Sequence, residues 1–350
     1  MCDIDTISPF NCEKTKFILN GFDLFVMITY LYNLAKVEKN MKTISIIVPC
    51  FNEQESINIY YDAMTKIKEQ TNKFNLEYWF IDDGSKDKTY SILKDLQKDH
   101  SDEVHFISFS RNFGKEAALY AGLNEVTGEY VAVMDVDLQD PPEMLPEMFD
   151  ILEEKEYDCV GTARMDREGE NKIISFFSNS FYKVINKMSQ TKIIPGARDY
   201  RLMTRQMVEA IKSMTEYNRF SKGIFSWVGF KTKYLPYKNR ERVAGSTSWN
   251  FWKLFKYAVT GIVDFSEGPL MFATWMGTLF SITSIVAIIA IIIRKIVSPL
   301  SSVNGWASIV SIVLLIGGIQ LLSIGILGEY IGKIFLEVKK RPIYIVKDKK

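Results

Sequence analysis

Before residue 165 the chain alternates short apolar runs with segments of helical periodicity, and long uncharged runs follow later. The helical segments lie near 55–69, 88–98, 115–126 and 143–155. Strands that alternate with helices are typical of a mostly parallel sheet covered by helices on both faces. The pattern therefore predicts an α/β head. Its predicted strands are 44–48, 78–81, 104–109, 130–134 and 159–161.

Two runs near the C-terminus, 269–293 and 306–328, contain no Asp, Glu, Lys or Arg. At about 1.5 Å per residue, each is long enough for a helix to cross a ~30 Å hydrocarbon core. The short connection predicts a two-helix transmembrane hairpin. Basic residues are concentrated after residue 332, while the connection carries only Arg294 and Lys295. By the positive-inside rule, the tail is expected in the cytoplasm. A hairpin of two spans in the cell membrane then places the head in the cytoplasm as well.

The same pattern sets the remaining boundaries. Residues 41–248 form the predicted head, and 249–268 an amphipathic juxtamembrane helix at the membrane interface. Residues 329–350 are expected as a basic cytoplasmic tail. Residues 1–40 are harder to interpret, because the apolar stretch 17–35 is interrupted by polar side chains. An interfacial helix and an upstream extension that precedes the native start at Met41 both fit, and we favour the extension.

Composition narrows the function classes. With 43 basic and 42 acidic residues, the net charge is +1, so no overall charge favours a nucleic-acid partner. The four cysteines show no metal-ligand spacing, which suits a reducing compartment. Only two histidines are present, so a histidine base or a histidine-rich metal site is not expected.

Polar clusters follow four of the predicted strands, at 49–53, 82–85, 110–115 and 135–137. Turn chemistry or helix capping explains any one of them taken alone. In parallel sheets, however, ligands bind beyond the carboxyl ends of the strands. Four clusters on one edge of one sheet therefore predict a binding site.

Asp135 and Asp137 form a D-x-D pair at the end of the fourth predicted strand. On a strand, residues two apart point the same way, and two carboxylates so placed repel each other unless a cation lies between them. Oxygen ligands suit Mg²⁺ or Mn²⁺, and Gln139 could add an amide oxygen. Asp140 and Glu143 fit helix capping at least as well as catalysis.

Four blocks carry a specific resemblance: SIIVPCFNE (45–53), IDDGSKDKT (81–89), SRNFGKEAAL (110–119) and MDVDLQDPPE (134–143). They resemble the signatures of family-2, GT-A-type inverting glycosyltransferases. The closest branch is that of bactoprenol (undecaprenyl-phosphate) glucosyltransferases and dolichyl-phosphate mannose synthases. The resemblance implies a GT-A Rossmann-like head, a nucleotide-sugar donor and a divalent metal.

It also implies roles for single residues. The nucleotide would be held by Pro49, Phe51, Glu53, Asp82, Asp83, Arg111, Lys115 and Asp135. The metal, Mg²⁺ or Mn²⁺, and the diphosphate would be held by Asp135, Asp137 and Gln139. The residues implied in catalysis are Asp137, Asp140 and Asp199.

The acceptor side is expected further along the chain. RDYRLM (198–203) resembles a block of the bacterial branch, and 240–249 resembles its R-x-x-G-x-S loop, which grips a lipid phosphate. A solvated basic loop is the alternative for 240–249. The amphipathic segment 173–188 fits a second interfacial helix or a helix packed on the head. The implied phosphate ligands are Arg198, Arg201, Arg240, Arg242 and Ser246.

These observations favour transfer of a single sugar, with inversion, from UDP-glucose to polyprenyl (undecaprenyl) phosphate. A phosphate monoester is largely dianionic at neutral pH, so it needs little help from a base; Asp140 or Asp199 would be the base if one assists. UDP-N-acetylglucosamine, UDP-galactose, a hydroxyl acceptor and a nucleotide-sugar-binding scaffold stay open as alternatives. The resemblance further implies membrane lipid contact and a homo-oligomer, expected to be a tetramer.

Overall fold

The computed structural model describes residues 41–164, 194, 196–237, 263, 268–297 and 305–350. The chain divides into two units, Met1–Met41 and Lys42–Lys350, and all described residues except Met41 belong to the second. The predictions for 1–40, for 173–188 and for nearly all of 249–268 lie outside the described residues.

Eight described strands form one sheet with the order β7-β5-β6-β4-β1-β2-β3-β8. Parallel pairings join β4, β1, β2 and β3 and also β5 and β7, whereas β6 and β8 are antiparallel to their neighbours. This is the predicted Rossmann-like, mostly parallel α/β sheet. The strands are β1 Lys42–Cys50, β2 Phe74–Asp82, β3 Val104–Phe109, β4 Tyr130–Val133, β5 Cys159–Arg164, β6 Ala197–Thr204, β7 Thr232–Tyr237 and β8 Val346–Lys349.

The four helical segments predicted for the head are confirmed, and two short helices follow β6. A 3₁₀ turn, Pro142–Met144, leads into the fourth helix and has Pro at its start, where no backbone donor is needed. The helices are α1 Ile57–Gln70, α2 Thr89–Asp99, α3 Lys115–Glu125, α4 Leu145–Glu153, α5 Arg205–Ser213, α6 Ser221–Trp227, α7 Gly268–Val297 and α8 Trp306–Lys339.

Alternation along β1 shows how the sheet divides two cores. Ile44, Ile46 and Val48 are fully buried against α1 and α4 on one face, and Ile47 is fully buried against α3 on the other. Helix α3 packs so closely on the sheet that a Cβ on Gly122 would fall 2.4 Å from the Ile47 side chain. This close packing fixes the first turn of α3 beside the carboxyl ends of the strands.

The long helices α7 and α8 contact each other and expose large apolar side chains. Among the described residues, Leu315–Lys339 is the one stretch long and apolar enough to cross a membrane. The second span of the predicted hairpin stays a prediction.

The segment predicted as a basic tail, 329–350, has regular secondary structure. Helix α8 continues to Lys339, and Lys340 closes it in the left-handed conformation. The chain then returns to the head, where β8 pairs with β3. Strand β8, with the sequence VKDK, is mostly exposed at the edge of the sheet. It therefore lacks the apolar alternation by which a strand is predicted.

Candidate active site

Two loops after β1 and β2 hold each other in place at the carboxyl edge of the sheet. The Asn52 N–H donates to Ser85 Oγ (2.9 Å), and the Lys86 N–H donates to Asn52 Oδ1 (2.9 Å). The Glu53 N–H donates to Thr89 Oγ1 (2.8 Å). Asn52 has a φ of +57°, which Asn tolerates better than most residues. This bracing leaves the ring of Phe51 44% exposed at the edge, where a planar base could contact it.

Asp82, at the end of β2, is buried and fully engaged in positioning. It accepts hydrogen bonds from Ser108 Oγ (2.7 Å) and from the Ser85 N–H (2.9 Å). Gly84 then turns the chain with a φ of +67°, and any Cβ there would fall 2.4 Å from the Arg111 carbonyl carbon. The DDG sequence is therefore required for close contact between two loops.

Asp83 holds the loop that follows β3. Its two carboxylate oxygens accept from the Phe113 N–H (2.6 Å) and the Gly114 N–H (2.9 Å). Burial raises the pKa of Asp83 to about 6, although these two bonds favour its charged form. Arg111, on the same loop, is exposed and stacks on the ring of Phe113, with its guanidinium carbon 3.9 Å from the ring centroid.

Lys115, the first residue of α3, bridges two carboxylates from distant parts of the sequence. Its Nζ lies 2.7 Å from Asp135 Oδ1 and 2.6 Å from Asp199 Oδ2. Burial acts to lower the pKa of Lys115, but the charges of the two aspartates outweigh it and hold the pKa above its ordinary value. Burial likewise acts to raise the pKa of Asp199, yet Lys115 and Lys222 hold it below its ordinary range.

The D-x-D pair follows β4, as predicted, but the strand geometry assumed for its two side chains does not hold. Strand β4 ends at Val133, and a turn follows in which Leu138 has a φ of +53°. Asp135 pairs with Lys115, whereas the more buried Asp137 accepts from the Gln139 N–H (3.2 Å). The same-face argument for these acids therefore fails, because strand alternation stops before them.

Within the described ranges, no group of three or more His, Cys, Asp or Glu side chains is arranged to hold a metal ion. The donor chemistry nevertheless fits a hard divalent cation, since two carboxylates and the Gln139 amide share one turn. Lys115 places a positive charge directly beside Asp135.

On the other side of β6, Asp140, Arg198 and Tyr237 form a buried polar network. The Tyr237 hydroxyl donates to Asp140 Oδ1 and accepts from Arg198 Nε (3.1 Å). Arg198 Nε lies 3.6 Å from the same carboxylate, and Arg198 Nη2 donates to Gln139 Oε1 (3.4 Å). Burial raises the pKa of Asp140 to about 6, against the opposing effects of Arg198 and Tyr237.

Arg201 lies deeper in the head than a phosphate ligand needs to be. It is 2% exposed, stacks on Phe225 at 3.6 Å, and donates to the carbonyls of Arg198 (2.9 Å) and Asp199 (3.3 Å). This environment favours a role in shaping β6 over direct contact with an acceptor. Arg240, Arg242 and Ser246 lie outside the described residues.

Sequence reasoning missed Glu116 and Tyr237. The Glu116 carboxylate accepts from the N–H (3.0 Å) and the hydroxyl of Ser221, at the start of α6. Burial raises the pKa of Glu116 to about 7. For Glu116, the available signal was its place beside Lys115 in the KEAAL block. Tyr237 had no such signal, since its partners, Asp140 after β4 and Arg198 on β6, are far away in the chain.

Comparison with known proteins identifies the class. Residues 45–212 match the family described as Glycosyl transferase family 2. The chain is 44% identical to "Putative glycosyltransferase CsbB" of Bacillus subtilis (strain 168), over 87% of this chain and 91% of that protein. It is 43% identical to "Bactoprenol glucosyl transferase" of Shigella phage SfX, over 88% of this chain and 99% of that protein.

Among solved structures, the chain is similar to "Mannosyltransferase PcManGT from Pyrobaculum calidifontis in complex with GDP-Man and Mn2+". The TM-score is 0.46 at 16% identity, over 91% of this chain and 94% of that one. From the family match and the close relatives, the chain belongs to glycosyl transferase family 2, and it is a glycosyltransferase.

Proposed function

We propose that this glycosyltransferase moves one glucose from UDP-glucose to undecaprenyl phosphate or a related polyprenyl phosphate, with inversion. The observation that carries the proposal is the 43% identity to a bactoprenol glucosyl transferase over 307 residues. A match of 307 residues in a chain of 350 extends well beyond residue 212, where the family match ends, and includes α7.

The lipid phosphate is the nucleophile in this proposal. With a second pKa near ~6, a phosphate monoester is largely a dianion at neutral pH. One of its oxygens attacks the anomeric carbon, the bond from that carbon to the UDP oxygen breaks, and UDP leaves with the electron pair. No proton has to be removed, which agrees with the absence of a histidine beside the Lys115–Asp135 pair among the described residues.

The neighbourhood of the two candidate bases supports the same conclusion. Asp199 is paired with Lys115, which holds its pKa below the ordinary range and makes it a weak base. Asp140 is occupied by Tyr237 and Arg198. We therefore assign both acids to electrostatic positioning.

A divalent cation, Mg²⁺ or Mn²⁺, would be held by Asp135, Asp137 and Gln139, and when bound it would neutralise the charge of the diphosphate leaving group. Lys115 contributes a second positive charge beside Asp135 and orders the start of α3. Phe51 and Arg111 are the exposed groups placed to contact the nucleotide.

Arg198 is the described residue best placed for the acceptor phosphate. It lies on β6 and donates to Gln139 of the D-x-D turn, and its partner Tyr237 ends β7. In the sequence, Arg240, Arg242 and Ser246 follow shortly after Tyr237. A guanidinium offers a planar set of donors that matches phosphate oxygens.

We further propose that α7 and α8 cross the membrane as a hairpin, with the head and the C-terminus in the cytoplasm. The return of the chain from α8 into the sheet supports this, because two crossings bring it back to the side on which it began. The expected tetramer stays a prediction.

The proposal is tested with the full chain in detergent, undecaprenyl phosphate and radiolabelled UDP-glucose. We expect a glucolipid that is labile to mild acid and forms only with added Mg²⁺ or Mn²⁺. UDP-N-acetylglucosamine, UDP-galactose and GDP-mannose serve as competing donors, and a neutral polyprenol as competing acceptor. Faster transfer from another donor would show that its sugar, and not glucose, is the one transferred. Transfer to the neutral polyprenol would refute the phosphate acceptor.

A further inference from the structure

Residues 341–350, which follow the C-cap Lys340 of α8, form a segment of the head that no sequence motif assigns. We call it the C-terminal segment. Strand β8 in this segment pairs with β3, and the register shifts between Ser108 and Phe109, where β3 ends. The segment is therefore anchored at the point where the chain leaves the sheet for the loop that carries Arg111.

Contacts of the C-terminal segment concentrate on the two elements that flank this loop. The Ser110 N–H donates to the Ile345 carbonyl (3.0 Å). The ring of Tyr344 stacks on Phe109, with centroids 5.0 Å apart and an interplanar angle of 16°. It also meets Tyr120 of α3 edge to face at 6.4 Å. One side chain thus touches both β3, before the loop, and α3, after it.

The opposite side of the same loop is fixed by the DDG turn. Asp83 accepts from the Phe113 and Gly114 N–H groups, and Gly84 packs against the Arg111 backbone. The loop is therefore held from two sides, by a motif predicted from the sequence and by a segment from the far end of the chain. Between them lie Arg111 and Lys115.

We propose that the C-terminal segment, chiefly Tyr344, positions the 110–115 loop for nucleotide binding and so connects the donor site to the end of the membrane helix. This inference rests on the proposed role of Arg111 and Lys115 at the nucleotide. Tyr344 acts through Phe109 and is a positioning residue.

The first test measures UDP binding to the full chain in detergent by isothermal titration calorimetry. An offset aromatic stack is worth enough that Tyr344→Ala should weaken UDP binding about fivefold. Tyr344→Phe keeps the ring and should bind within about twofold of the unchanged protein. Lys347→Ala is the matched control, because Lys347 lies on β8 in the same C-terminal segment, over Tyr90 of α2 and away from the loop. Equal UDP affinity for Tyr344→Ala and the unchanged protein would overturn the proposal.

The second test needs no nucleotide and no acceptor, so it stays informative if the proposed substrates are wrong. Hydrogen exchange of the peptide that covers 110–114 should be at least about tenfold faster in Tyr344→Ala than in Tyr344→Phe or Lys347→Ala. Tyr344→Leu, which keeps apolar volume, replaces the alanine variant if that one does not fold. Unchanged exchange at 110–114 contradicts the proposal, as does equally faster exchange throughout the sheet.

Discussion

The sheet contains two regions that are built differently. The β4-β1-β2-β3 region is parallel, and each strand ends in a polar cluster directed to one edge. The β7-β5-β6 region contains an antiparallel strand, β6, and contributes single residues from β6 and β7. The first region builds the donor side from local motifs, whereas the second completes the site through contacts between residues far apart in the chain.

The two regions meet at two polar connections, one on each side of β6. Alternation along β6 places Asp199 beside Lys115 and Arg198 beside Asp140. The donor region holds its loops with hydrogen bonds from backbone N–H groups to side chains. The second region joins the sheet through the β4–β6 pairing and reaches the site through charged side chains. Substitutions at these connections are expected to change the kinetic constants for the nucleotide sugar and for the acceptor phosphate to different extents.

The largest effect is expected for Asp135→Asn, because it removes charge from the metal-donor set and from the Lys115 pair at once. We expect kcat to fall about 100-fold or more, the scale for loss of a key electrostatic group. Transfer is measured at saturating donor and acceptor. Asp150→Asn, which removes an acid from a surface pair with Lys73, is the control and should keep its activity. Near-normal turnover of Asp135→Asn would refute the role of Asp135.

A smaller effect is expected for Lys115→Met. The two carboxylates lose their shared cation, so kcat should fall about 30-fold. Burial, no longer opposed by Lys115, should raise the pKa of Asp199, and the acid limb of the pH–rate profile should move to higher pH. The pH–rate profile measures this shift, and Lys73→Met is the control. Turnover close to that of the unchanged protein would refute the role assigned to Lys115.

Tyr237→Phe should affect mainly the acceptor. Without the hydroxyl, Arg198 loses a partner, and kcat/KM for polyprenyl phosphate should fall about fivefold while KM for the nucleotide sugar changes little. The lost donor also favoured the charged form of Asp140, so the pKa of Asp140 should rise above about 6. The acid limb then moves upward in pH. Tyr234→Phe on the same strand is the control, and equal changes in both KM values would contradict this assignment.

The smallest effect is expected for Glu116→Gln and concerns stability. The folded-state pKa of Glu116, about 7, lies above its ordinary value of 4.5, so the folded state binds more protons between these values. The free energy of unfolding should therefore fall as pH rises from about 4.5 to 7. Glu116→Gln should flatten this part of the profile. Thermal melts across pH measure it, with Glu209→Gln, at an exposed position on α5, as control. An unchanged slope would refute the contribution of Glu116.

The difference between the two regions also explains which parts of the fold were predictable. The runs 44–48, 78–81, 104–109 and 130–134 form buried strands with helices on both faces of the sheet, so they are predominantly apolar. Strand β6 was not predicted, because Arg198, Asp199 and Arg201 interrupt its apolar pattern. Each of these charged side chains has a partner from another element.

The same reason accounts for the errors at the site. The D-x-D pair was located correctly but given strand geometry, since no local signal marks the turn at Leu138. Asp82 and Asp83, predicted for the nucleotide, also hold neighbouring backbone and side-chain groups. Their role at the nucleotide stays a prediction.

By itself, the sequence determined the alternating α/β head, the edge at which the site lies, the glycosyltransferase class and the apolar C-terminal helices. These depend on burial patterns and on motifs that act within a few residues. Only the tertiary structure decided that Lys115 joins Asp135 to Asp199, that Tyr237 joins Asp140 to Arg198, and that the last strand returns to β3. Such pairings depend on which strands become neighbours, and the order of strands in a sheet is set by the packing of the whole chain.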